Sequence, residues 1–197
     1  MPEARRFFES RLRRYGDSPK TLGWSAKGQR RRFEVLADVG NLRGREVLDV
    51  GCGLGHFYDF LREGVPDVRY AGLDSSARMI AAARKRIPGV PFEVHNAIAG
   101  PLPRAADFVV ASGVLNLEQG DNDAAMRRFL RVCFAACREA AAVNMLSTWA
   151  DLYDSGRHYY EPLRTARAAR RLTRRVVLRH DYLPHDFTLY LYREPFP

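Results

Sequence analysis

Between residues 45 and 57 the chain reads Arg-Glu-Val-Leu-Asp-Val-Gly-Cys-Gly-Leu-Gly-His-Phe. Three glycines at spacing two, Gly51, Gly53 and Gly55, follow directly on Val47, Leu48 and Val50. A short apolar run without helical period reads as a buried parallel strand. The glycines let the chain bend sharply and let a ligand approach bare main chain. A helix over 54–63 would point its first free N–H groups back at that turn. The spacing excludes two common nucleotide sites. A G-x-G-x-x-G fingerprint needs glycine at 56 or 58, where His56 and Tyr58 stand, and no G-x-x-x-x-G-K-[ST] run occurs. A second acidic residue, Asp74, ends the next strand-like run, 68–73, about one βα unit further on. A carboxylate at that strand tip can accept hydrogen bonds from both hydroxyls of a ribose. The same stretch also starts a helix over 77–86, with Ser75 or Ser76 as its cap.

The run from Asp49 to Gly55, D-x-G-x-G-x-G, resembles motif I of the class I S-adenosylmethionine (SAM) dependent methyltransferases, in particular the small bacterial members. That resemblance extends over about residues 45–193, and motif I is its most specific part. It implies an enzyme that moves the methyl group of SAM to O or N of a small-molecule acceptor and leaves S-adenosylhomocysteine (SAH). It also implies roles for particular residues. Gly51, Cys52, Gly53 and Gly55 would lie along the amino-acid part of SAM. Asp49 would anchor that turn or reach the ammonium, and Asp74 with Ser75 would hold the ribose. Asn96 and Ala97 would flank the adenine. The family often has an acidic residue at position 96; Asn96 departs from this, although its side-chain carbonyl can accept the same hydrogen bond. Ser112 and Gly113 are small enough to let the cofactor pass. No [ND]-P-P-[YF] element is present, which argues against methylation of DNA adenine or of glutamine. Two alternatives stay open: RNA or protein methylation using the Arg-rich ends, and SAM binding without methyl transfer.

The elements needed to position these residues follow from the rest of the chain. Strands are expected at 91–95, 107–111 and 139–145, and helices at 77–86 and 121–138. Gly100, Pro101 and Pro103 argue against a crossover helix between 97 and 104. A helix over 163–173 is followed by strands at 176–182 and 187–193. The turn between them is so short that they must pair antiparallel. The expected fold is therefore a doubly wound, mostly parallel α/β sheet of seven strands with an antiparallel C-terminal hairpin strand and helices on both faces. Two helices, 2–15 and 29–39, precede the first strand and form an N-terminal cap, with Trp24 between them. The expected organisation is one domain, 1–197, made of a cap (1–44) and a Rossmann-like core (45–197).

Ligands of open α/β sheets sit at the carboxyl ends of the strands. Polar or aromatic residues there are candidates to hold the acceptor: Asn116, Asn144, Tyr153, Tyr159 and Tyr160. His158, in the aromatic stretch 149–162, is the first candidate for a general base, ahead of His180, His185 and His56.

Composition bounds the remaining possibilities. Hydrophobic residues make up 46% of the chain, an ordinary value, and no run approaches a membrane span. The first residues are charged, without the apolar segment of a secretory signal, and three cysteines suit a reducing cytoplasm. Cys133 and Cys137 have no partners at metal-ligand spacing, so no metal site is expected. The net charge of +9 is carried by residues 1–46 and 155–197, almost entirely as arginine. Such basic ends attract anions, whether nucleic acid or an acidic small molecule.

Overall fold

The computed structural model describes residues 2–118 and 120–193. Seven strands form one sheet: β1 (Glu46–Val50), β2 (Arg69–Asp74), β3 (Phe92–Val94), β4 (Ala106–Ser112), β5 (Cys137–Leu146), β6 (Val176–Leu183) and β7 (Asp186–Tyr192). Their spatial order is β3-β2-β1-β4-β5-β7-β6. The first five run parallel, and β7 lies antiparallel between β5 and β6. The strands that read as continuous apolar runs are the central ones: β1 and β4 are buried on both faces, as helical layers above and below require.

Helices cover both faces. Phe33, Val35 and Leu36 of α2 (Ala26–Ala37) share one apolar cluster with Phe57 and Leu61 of α3 (His56–Gly64) and Ile80 of α4 (Ala77–Arg86). On the opposite face, Phe129 and Leu130 of α5 (Asn122–Ala136) and Ala169 of α6 (Pro162–Ala169) close a second cluster with Leu48, Val109 and Phe187. Side-chain caps set several helix starts: Ser76 Oγ accepts from Met79 N at 3.2 Å, and Asp121 Oδ1 from Ala124 N at 2.8 Å.

Several boundaries differ from the pattern. The glycine turn takes up Leu54 and Gly55, so α3 begins at His56. Ser25 caps α2 three residues earlier than the apolar spacing indicates. The chain turns out of α6 at Ala169, where Arg170 closes the helix. No helix forms between β3 and β4, as the prolines require. The two N-terminal helices also part company. α2 is built into a core layer, whereas α1 (Pro2–Tyr15) packs beside the end of β2 and the start of α4. There Glu9 Oε1 accepts from Ser76 Oγ at 2.8 Å, and Asp17, just past α1, pairs with His56 and Arg86 at 2.7 Å each. None of the described helices is long and apolar enough to cross a membrane.

Candidate functional site

From β1 the chain winds outward to β2 and β3, then returns to β4 on the other side of β1. The order reverses between β1 and β4, and a crevice must open where the following loops part. The turn after β1 is fixed by β2: Gly51 N and Cys52 N both donate to Leu73 O, at 2.7 and 2.9 Å. Asp74 completes this arrangement. Its Oδ2 accepts from Gly53 N at 3.1 Å and its Oδ1 from Ser76 N at 2.8 Å. Each carboxylate oxygen keeps a further lone pair for another donor.

A cavity of about 110 Å³ lies in this crevice. Of the residues the sequence nominates, Asp49, Gly51, Cys52, Asp74, Ser75, Asn96, Ala97, Ser112 and Gly113 line it. Gly53 and Gly55 do not. A Cβ at Gly53 would sit 3.0 Å from Leu22 Cδ2, and one at Gly55 would lie 2.9 Å from both Ile87 Cδ1 and Phe92 Cζ, so these glycines serve close packing. Phe8, Leu22, Trp24 and Gln29 wall the cavity from the N-terminal side, and His56, His95 and Ile98 also line it. Sequence reasoning passed over His95, although it directly precedes Asn96. Its Nε2 is buried and has no hydrogen-bond partner in the structure, although buried polar atoms are generally paired.

Asp49 is buried and accepts from Tyr70 OH at 2.7 Å. Burial pushes its carboxyl up to about 7; the Tyr70 bond opposes this, and the nearby Asp74 adds to it. Burial holds Tyr70 far above its own ordinary value, so it remains the donor. An acid whose pKa rises on folding gives stability that is complete below its unfolded pKa of 3.8 and is lost as pH climbs through about 7. The ligand-free protein is therefore expected to melt at lower temperature at pH 8 than at pH 5. Asp49→Asn should flatten that slope. An unchanged slope in the variant would remove Asp49 as its source.

The residues nominated for the acceptor divide. Asn116 and Tyr159 line a second cavity, of about 860 Å³, and Trp24 is a wall common to both cavities. The others line neither cavity, and each has a physical reason. Asn144 is enclosed between β5 and β7, where its Nδ2 donates to Tyr182 OH at 2.7 Å and to Phe187 O at 3.3 Å. Tyr160 is a core residue whose OH donates to Leu115 O at 3.2 Å. Tyr153 is exposed, its OH donating to Thr148 O at 2.7 Å and its ring tilted against that of Tyr159. The His158 ring stands edge-on to Tyr160, 4.5 Å between centroids, and burial lowers its pKa. Its surroundings are those of a packed side chain.

Comparison with known proteins adds four findings. A family model described as "Methyltransferase domain" matches residues 47–135. The putative methyltransferase Rv1506c of Mycobacterium tuberculosis is 30% identical over 150 residues, covering 73% of this chain and 90% of that protein. Trans-aconitate 2-methyltransferase of Acidovorax sp. is 42% identical over 88 residues; that match spans 44% of this chain but only 34% of the relative. Among solved structures, magnesium protoporphyrin IX methyltransferase (ChlM) from Synechocystis with bound SAH superposes with a TM-score of 0.67 at 15% identity, over 98% of this chain and 99% of that one.

Proposed function

This chain belongs to the class I SAM-dependent methyltransferases, and from that premise we propose that it transfers the methyl group of SAM to O or N of a small-molecule acceptor. The observation that carries the reading is the crevice between β1 and β4, where the bare Gly51 turn and the Asp74 carboxylate line one cavity. The donor set there suits a nucleoside bearing an amino acid. The turn at Gly51 and Cys52, whose N–H groups are held by Leu73 O, lines the cavity where the amino-acid part would lie. Asp49 is a buried carboxylate that an ammonium would keep ionised. The free lone pairs of Asp74 suit a diol, and Asn96 with the unpartnered His95 suits the polar edge of a purine. The apolar side chains of Leu22, Met79 and Ile98 suit its faces.

When bound, SAM supplies a methyl group already activated on a sulfonium. What this chain contributes is alignment, which can lower such a barrier by about 7–11 kcal/mol. The larger cavity, reached past Trp24 and bordered by Asn116 and Tyr159, is the place for the acceptor. His158 receives no role in proton transfer, because it lines neither cavity. Some of the arginines at the ends of the chain are spent on internal pairs rather than left for nucleic acid, which counts toward a small molecule. Arg30 pairs with Glu63, Arg32 with Asp186, Arg45 with Glu139 and Arg179 with Asp181.

Asp74→Ala tests the reading. Calorimetric titration should show SAH binding weakened by about 10- to 100-fold, the size expected for lost hydrogen bonds to a charged group. Asp74→Asn keeps one acceptor oxygen, for Gly53 or for Ser76, and turns its amide NH2 toward the other N–H, so it should fall between wild type and Asp74→Ala. Unchanged SAH affinity in a folded Asp74→Ala protein would contradict the ribose role.

A further inference from the structure

We infer that the larger cavity is a seat for an anionic group of the acceptor, gripped by the guanidinium of Arg157 with Arg32 behind it. The inference rests on the methyltransferase reading and deepens it by naming the chemical class of the acceptor: a small molecule carrying a carboxylate or a phosphate.

Two guanidiniums, Arg157 and Arg32, meet at this cavity, and only Arg32 has a carboxylate bound to it. Arg157, half-buried in the segment after β5, lies 5.1 Å from the centroid of the Phe7 ring and comes so close to Gly23 that a Cβ there would be 2.6 Å from its Nη2. Among the described residues it forms no ion pair. Burial lowers its pKa, Asp154 opposes that shift, and the positive charges of Arg11 and Arg32 add to it. Arg32 is buried against the face of Trp24, 3.6 Å from the ring centroid. One of its nitrogens meets Asp186, whereas its Nε is buried with no hydrogen-bond partner. Arg32 has Asp186, but the carboxylates on this wall, Glu34, Asp151 and Asp154, give Arg157 no ion pair. Glu34 is taken by Arg30 and Arg31, and Asp154 reaches Arg157 only through space.

A half-buried guanidinium without a counter-ion is costly, and one beside a like charge more so. Its planar fork matches the two oxygens of a carboxylate or phosphate, which would relieve both costs. Trp24, which carries Arg32 on its face, also walls the cofactor cavity. An acid held on Arg157 would thus sit in the cavity that adjoins the cofactor cavity at Trp24. Binding energy collected at this remote group can be used to orient the reacting atom.

The test is calorimetric titration of SAH-saturated protein with sodium succinate and, separately, with inorganic phosphate at fixed ionic strength. Wild type, Arg157→Gln and Arg157→Lys are compared. Saturable binding of at least one anion is expected, weakened about tenfold or more in Arg157→Gln and less in Arg157→Lys, which keeps the charge but loses the fork. SAH affinity should be the same in all three proteins. Succinate binding alone identifies a carboxylate seat, and phosphate binding alone a phosphate seat. If SAH binds and neither anion does, or if Arg157→Gln binds the anion as wild type does, this inference falls while the methyltransferase reading stands. If SAH itself fails to bind wild type, the underlying reading falls and this one with it.

Discussion

Gly51→Ala is expected to abolish SAH binding at concentrations that saturate the wild type. Two independent costs meet at this atom. The backbone holds φ at +80°, a left-handed conformation that costs an L residue about 1–2 kcal/mol. A Cβ would also stand 2.3 Å from Cγ2 of Val114, inside any permitted contact. Val114 is branched and lies in the loop after β4, so relief must come from moving that loop against the β1 turn. Those two segments frame the cavity, and a shift of either deforms it. Val114→Ala in the Gly51→Ala background removes the overlap but not the backbone strain, so it should restore part of the affinity. The check is titration of the two variants and wild type with SAH. An affinity for Gly51→Ala within about threefold of wild type, well under 1 kcal/mol, would show that the turn does not touch the ligand.

Asp186→Ala is expected to be the most destabilising single change, by about 3–5 kcal/mol, because it strands a buried guanidinium. Asp186 has no solvent exposure and its partner Arg32 almost none. The pair joins α2 to the first residue of β7, and the carboxylate also lies 3.5 Å from Asn144 Nδ2. With Asp186 gone, Arg32 keeps only the Trp24 face. Urea unfolding of wild type and variant measures the loss. A further change of Arg32→Met should recover most of it, since an apolar side chain of similar length leaves no buried charge. A loss below about 1 kcal/mol for the single variant would mean that water reaches this pair, as in surface bridges.

The two faces of this site were not equally legible in the chain. The cofactor side was readable because its constraints are local. Gly51 announces a positive φ directly after an apolar strand, and Asp74 closes the following strand 23 residues later, within one βα unit. The acceptor side is assembled from distant parts. Arg32 looks like one of many arginines on a polar helix face until β7, more than 150 residues on, brings Asp186 beneath it. Arg157 gains meaning only from Phe7 and Gly23, both near the other end of the sequence. The aromatic stretch misled in part for the same reason. Asn144 lies near the end of β5, as pocket residues do, but β7 inserts between β5 and β6 and closes over it. The bridge of Ser147 to Tyr160 then carries that tyrosine into the core. Periodicity locates each strand without giving its lateral neighbour, and these assignments depended on the neighbour.

The most direct measurement is diffraction from crystals grown with SAH. The account predicts density running across the tips of β1 and β2, its amino-acid end beside Gly51 and Cys52, its ribose within hydrogen-bond distance of Asp74 and its purine next to Asn96. Density elsewhere on the molecule, or a crevice that stays filled by its own side chains at saturating SAH, would contradict it.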